Sequence, residues 1–126
     1  MTKSMKITMV VEKTNTGYSA YAKDAAVFTV ASDLNELYAN TEEALSLAFD
    51  RDVTREEFQL QIDLPQFFKY YRVLNAKFLA ERIGMNPTLL SQYVIGTKVP
   101  GPKQVERILT GIREIGRELS DLEFLA

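Results

Sequence analysis

Leu79-Ala80-Glu81-Arg82-Ile83-Gly84-Met85-Asn86-Pro87-Thr88-Leu89-Leu90-Ser91-Gln92-Tyr93 is the stretch on which the fold of this 126-residue chain turns. Gly84 closes the first apolar run, where a helix C-cap favours the residue most free to take positive φ. Asn86-Pro87 opens the second, asparagine being a strong N-cap and proline well suited to the first helical position. On the first helix Leu79 and Ala80 point inward, alanine being small enough to let another helix cross closely, and Met85 fills the gap at the turn. On the second helix Leu90 and Tyr93 point inward, which leaves Thr88, Leu89, Ser91 and Gln92 on the outside. The reading is two short helices joined by a tight glycine turn.

Downstream, Gly96 ends the second helix and Gly101-Pro102 repeats the start signal. Val105, Ile108, Leu109, Ile112, Ile115 and Leu119 then mark one stripe of a long final helix. At 1.5 Å per residue that helix is about 30 Å long, more than a helix pair needs. Its stripe ends in Leu119, Leu122, Phe124 and Leu125, a candidate dimer contact for which packing onto the same domain is the rival reading. Upstream, the period becomes 3.6 after Pro65, and Phe67, Phe68, Tyr71 and Leu74 read as a connecting helix.

The first half follows another rule. In Lys6-Ile7-Thr8-Met9-Val10-Val11-Glu12, Ile7, Met9 and Val11 share one face at period two, as in a half-buried strand. Asn15-Thr16-Gly17 is a turn, and Tyr18-Ser19-Ala20-Tyr21-Ala22-Lys23 alternates again, giving a hairpin. Val27 to Val30 reads as a third strand. Ser32 is placed to cap a helix whose stripe is Leu34, Leu37, Tyr38, Thr41, Leu45, Ala48 and Phe49. Phe58, Leu60, Ile62 and Leu64 alternate with Gln59, Gln61 and Asp63 as a fourth strand. The expected fold is α+β: a small β-β-β-α-β domain over residues 1–63, followed by an all-α domain over 64–126.

Composition narrows the chemistry. There is no cysteine and no histidine, which removes disulfides, thiol nucleophiles, zinc fingers and every imidazole-based triad or metal site. No apolar run approaches the roughly 18 residues needed to span a bilayer. Met1-Thr2-Lys3-Ser4-Met5 leads into strand sequence with no apolar core of a signal peptide, so the expected location is the cytoplasm, with no membrane partner. The net charge of −2 conceals an asymmetry. Before Asp63 six bases face ten acids, whereas from Lys69 to Arg113 eight bases face only Glu81 and Glu106. Two ends of opposite sign suggest different partners.

In a helix-turn-helix, the second helix enters the major groove and its outward residues meet base edges. The stretch resembles the Xre-type, lambda-repressor-like family in Leu79-Ala80, Ile83-Gly84-Met85, Leu90-Ser91, Gly96-Thr97-Lys98 and Pro100. The resemblance implies binding to double-stranded operator DNA, with Asn86, Thr88, Leu89, Ser91, Gln92, Lys98, Lys103 and Lys77 as the candidate contacts. Gln92 suits adenine N6/N7, and Leu89 suits either a thymine methyl group or a buried position. Asn86, Lys98 and Lys103 sit where backbone amides and charge meet phosphates. In two respects the chain departs from the family: Ala76 stands where a glutamine often opens the first motif helix, and no arginine or lysine lies between Thr88 and Tyr93.

Over most of its length the chain also resembles the HicB antitoxins of bacterial toxin–antitoxin pairs. The residues concerned are Gly17-Tyr18-Ser19-Ala20-Tyr21, Ser32-Asp33-Leu34-Asn35-Glu36-Leu37, Glu43-Ala44-Leu45, Ile62 to Tyr71, and Ile83 to Tyr93. The resemblance implies a reduced RNase H-like sheet that covers a HicA-type mRNA-cleaving toxin. It also implies repression of the pair's own operon, no enzymatic activity and no cofactor, and a homodimer or higher homo-oligomer. The family's Pro-Gly after the second strand is replaced here by Asp24-Ala25-Ala26. A stand-alone transcription regulator, with a ligand-sensing or dimerising first domain, is the alternative. A nuclease of the RNase H type needs converging carboxylates, and the strands offer only Glu12, Asp24 and Asp63 near their ends. A helical scaffold that no longer binds DNA is a further competitor.

Overall fold

The computed structural model describes residues 6–125. Met1 to Met5, the lead-in read above as lacking a signal peptide, lie outside the described residues. The chain is α+β, with a four-stranded mixed sheet and five helices. It forms two compact units, Met1–Tyr70 and Tyr71–Ala126.

The first unit contains β1 (Ile7–Thr14), β2 (Gly17–Ala22), β3 (Phe28–Ala31), α1 (Leu34–Phe49), β4 (Phe58–Ile62) and α2 (Leu64–Tyr70). The sheet order is β3-β2-β1-β4, with β1 antiparallel to β2 and parallel to β4. A two-residue turn at Asn15–Thr16 joins β1 to β2, and the register pairs Thr14 with Gly17. Gly17 has φ +147°, and a Cβ there would lie 2.2 Å from the Ala31 carbonyl oxygen and 2.7 Å from Ser32 Cα. Only glycine lets the hairpin corner approach the end of β3 so closely.

Met9, Val11, Ala20, Ala22, Leu37, Leu45 and Phe58 form the centre of the core between α1 and the sheet. The expected period-two face of β1 is therefore the buried one. On α1 the buried residues are Leu37, Thr41 and Leu45. Leu34, Ala48 and Phe49, read as part of the same stripe, are exposed at the two ends of the helix. The Thr41 hydroxyl is buried without a hydrogen-bond partner.

Asp33, not Ser32, caps α1: its carboxylate accepts from the Glu36 N–H at 2.8 Å. Ser32 is one residue too early and instead donates its N–H and hydroxyl to the Glu36 carboxylate. β4 also ends sooner than its alternation suggests. Leu64 opens α2 instead of closing the strand, because Asp63 accepts from the Gln66 N–H at 3.1 Å and starts a helix with Pro65 in its first turn. α2 stops at Tyr70, so Tyr71 and Leu74 of the expected connecting helix lie in the turn that follows.

The side chain of Gln66 fastens α2 to the sheet. It accepts from the Lys13 N–H at 2.9 Å and donates to the Lys13 carbonyl at 2.8 Å. These two bonds copy a β-ladder pair just beyond the last rung between β1 and β4. The first unit consequently continues past Asp63, and α2 belongs with the strands.

The second unit contains α3 (Ala76–Ile83), α4 (Pro87–Ile95), α5 (Pro102–Ser120) and a closing 3-10 turn (Asp121–Leu125). Its core is Leu79, Ala80, Met85, Leu90, Tyr93 and Ile108. Gly111 brings α5 against α3, since a Cβ there would meet Ile83 Cγ2 at 2.3 Å and Leu79 Cδ1 at 3.5 Å. Among the described residues no helix is long and apolar enough to cross a membrane.

Candidate nucleic-acid interface

Short polar caps build the turn between α3 and α4. Asn75 starts α3 by accepting from the Phe78 N–H at 3.0 Å. Gly84 ends it in the left-handed conformation, φ 70° and ψ 30°. The Met85 N–H returns to the Ala80 carbonyl at 2.9 Å, and its side chain is buried, as the plugging role requires. Asn86 then caps α4, its side-chain oxygen accepting from the Thr88 N–H at 2.8 Å and the Leu89 N–H at 3.3 Å. Ala80 and Leu90 are fully buried and Tyr93 nearly so, which orients the rest of α4 outward.

On that outer side Thr88 and Ser91 are exposed, and Leu89 and Gln92 are half-buried. None of these four side chains has a hydrogen-bond partner among the described residues. The Gln92 backbone carbonyl, by contrast, accepts from the Gly96 N–H at 3.0 Å, the Lys98 N–H at 3.3 Å and the Thr97 hydroxyl at 3.3 Å. Gly96, at φ 95°, turns the chain so that Thr97 and Lys98 wrap back on the end of α4. The backbone of Lys98 is thereby held at the C-terminal end of the helix. Ile95 and Val99, at the same end, are exposed apolar side chains.

The cations of this unit fall into two groups. Arg82 is tied to Glu118. Arg107 donates to the Ile83 carbonyl at 3.0 Å and the Gly84 carbonyl at 3.2 Å, closing the open end of α3. Arg113 bonds the Thr110 hydroxyl. Lys77, Lys98 and Lys103 are exposed, and their ammonium groups have no partner among the described residues. Lys103 lies in the first turn of α5, whose cap, Gly101, offers no side-chain acceptor to the first amides.

The amides that begin α4 differ from this, because Asn86 already occupies those of Thr88 and Leu89. Of the two helix starts suggested for phosphate contact, the one at Lys103 is open and the one at Asn86 is closed by its own cap. Sequence reading missed Arg107. A basic residue near a helix end commonly meets the last carbonyls of its own helix, but Arg107 serves a different helix, 24 residues upstream.

The three carboxylates near the strand ends do not converge. Asp63 caps α2, Glu12 stands opposite Ser19 in the hairpin, and Asp24 is exposed in the turn after β2. No group of three carboxylates able to hold a metal ion occurs among the described residues. Comparison with protein-family models, curated proteins and solved structures finds no match for this chain.

Proposed function

We propose that residues 71–126 are a helix-turn-helix unit of the Xre type that binds double-stranded DNA, and that the whole chain acts as a HicB-like antitoxin and autorepressor. The observation that carries this reading is the outer face of α4. Its polar side chains have no hydrogen-bond partner among the described residues, and the unpaired Lys98 follows the end of the helix, its backbone N–H on the Gln92 carbonyl. In the groove, Thr88 and Ser91 offer hydroxyls, Gln92 pairs with adenine N6/N7, and half-buried Leu89 presents an edge to thymine methyl groups. The lysines hold phosphates and supply affinity without sequence preference.

Strand order β3-β2-β1-β4, with β4 parallel to β1 and a helix between β3 and β4, supports a reduced RNase H-like sheet. Exposed Tyr21 on β2, with Phe28 and Val30 on the neighbouring edge strand β3, give a HicA-type toxin an apolar surface to cover. The protein is read as a binder and not as an enzyme. The stand-alone regulator remains a second reading, favoured by Asp24-Ala25-Ala26 where the family has Pro-Gly.

The test is binding of the purified full chain to its own upstream DNA across a salt series, against scrambled DNA. Preference for the upstream sequence is expected, with affinity falling steeply as salt rises. Lys98→Ala is expected to weaken both DNAs alike and to reduce the salt slope by about 1, while Gln92→Ala relaxes the preference for the upstream sequence. Equal binding to both DNAs at every salt concentration sinks the repressor reading. A chain that represses but captures no toxin sinks the antitoxin half alone.

A further inference from the structure

Three contacts made by α5 converge on the last residues of α3. Arg107, Gly111 and Glu118 follow one another at helical spacings, so they lie on one stripe of the helix. Glu118 takes the Arg82 guanidinium. Gly111 leaves the hollow that Ile83 fills, since a Cβ there would lie 2.3 Å from Ile83 Cγ2. Arg107 reaches past the helix end, and its Nη2 alone donates to the Ile83 carbonyl at 3.0 Å and the Gly84 carbonyl at 3.2 Å. Its Nη1 is steadied by Gln104, whose side-chain oxygen accepts at 3.1 Å.

The Arg107 contact differs from the other two in where its acceptors stand. Ile83 is the last residue of α3, and Gly84 is the left-handed residue at which the chain turns. One nitrogen thus spans the junction, whereas Gly111 and Glu118 hold α3 alone. Carbonyls a turn earlier already have partners: those of Ala80 and Glu81 accept from the Gly84 N–H, and Ala80 also from the Met85 N–H at 2.9 Å. The Ile83 and Gly84 carbonyls are the ones left over at a helix end, and the group that meets them comes from another helix. Two residues further on, Asn86 closes the amides that begin α4. The junction is therefore tied on one side by the cap of α4 and on the other by Arg107.

We propose that Arg107 is a positioning residue for α4. It fixes the direction in which the turn delivers the helix, and with it the place of Thr88, Leu89, Ser91 and Gln92, without meeting DNA itself. Base contacts tolerate little displacement, whereas phosphate contacts through long flexible lysines tolerate more. Loss of the brace is thus expressed as lost discrimination, not as lost affinity. The brace stands on the geometry of the helical unit, and its effect on DNA rests on the function proposed above.

Two measurements on the full chain keep these apart. Arg107→Met keeps an aliphatic stem and removes the donors. Without DNA, amide hydrogen exchange at Gly84 and Met85, relative to the Ile108 amide, is expected to become about tenfold faster in this variant. On DNA, its preference for upstream over scrambled sequence is expected to fall about tenfold, the scale of one lost base contact, with the salt slope unchanged. Both DNAs weakened alike, with the slope reduced by about 1, would make Arg107 a phosphate contact and overturn the proposal. Ile108→Val loosens the same core without touching the junction. It is expected to lower the melting temperature and keep the preference; an equal fall in preference would overturn the proposal, because general loosening then suffices. Unchanged exchange at Gly84 and Met85 overturns the brace whatever the DNA result. Accelerated exchange in the variant, beside a wild-type chain that binds both DNAs alike, overturns the function proposed above and leaves the brace in place.

Discussion

The sheet unit buries more apolar residues than it leaves exposed, whereas the helical unit exposes more large ones than it buries. Ten residues make one continuous core between α1 and the strands. Among the described residues of the helical unit, six apolar side chains are buried while eight large ones are exposed: Val73, Phe78, Ile95, Val99, Leu119, Leu122, Phe124 and Leu125. Small cores leave little margin, so a unit that spends apolar residues on its surface gains stability when something covers them. The difference is one of proportion: the sheet unit has the larger core for its exposed apolar surface, and the helical unit the smaller.

The sharpest way to break this contrast is Leu90→Ala. Leu90 is fully buried in the smaller core, and truncation is expected to cost about 3–5 kcal/mol. Thermal melting followed at 222 nm should lose most of the helical transition, and a loss under about 1 kcal/mol would show the core to be larger than it looks. Gly17→Ala strikes the sheet unit through its backbone. A Cβ 2.2 Å from the Ala31 oxygen is expected to cost about 2–3 kcal/mol, seen as a lower denaturant midpoint.

Thr41→Val sharpens the contrast in the other direction. It removes a buried hydroxyl that has no partner and keeps nearly the same shape, so a gain of about 1 kcal/mol is expected. An equal loss on urea unfolding would mean that the hydroxyl is satisfied in solution. The smallest effect is at Glu57. The Thr54 backbone N–H and then the Arg51 guanidinium hold its carboxyl below the ordinary glutamate range. A carboxyl lowered on folding adds stability above its unfolded pKa and loses it as pH falls through the lower, folded value. Glu57→Gln is therefore expected to flatten the stability profile slightly on the acid side, and an unchanged profile would show the contact to be slack.

Much of this was legible in the residues, and the reasons are local. Gly84, Asn86-Pro87, Gly96 and Gly101-Pro102 mark helix ends through the φ, ψ and capping needs of single positions, and each stands where those needs place it. The period-two face of β1 is the buried one because neighbours on a strand must alternate. What was not legible depends on distance along the chain. No periodicity tells which body α2 joins, since that is decided by Gln66 meeting Lys13, 53 residues away. Ser32 and Asp33 are both good caps, and only the point where the chain leaves β3 chooses between them. At the candidate interface, the outward set on α4 followed from the inward set. The closure of the amides by Asn86 and the clamp of Arg107 on the turn needed coordinates.

The pairing of Gln66 with Lys13 makes the connection out of β4 a ruler. Between Ile62 and Gln66 the spacing must be met to the residue, because one insertion or deletion carries the amide off the Lys13 backbone and turns the following helix by about 100°. The stretch that appears to be a free joint between strand and helix is thus the least adjustable length in the unit. Inserted residues are expected to be tolerated after β2 or after α2, and not between Ile62 and Gln66.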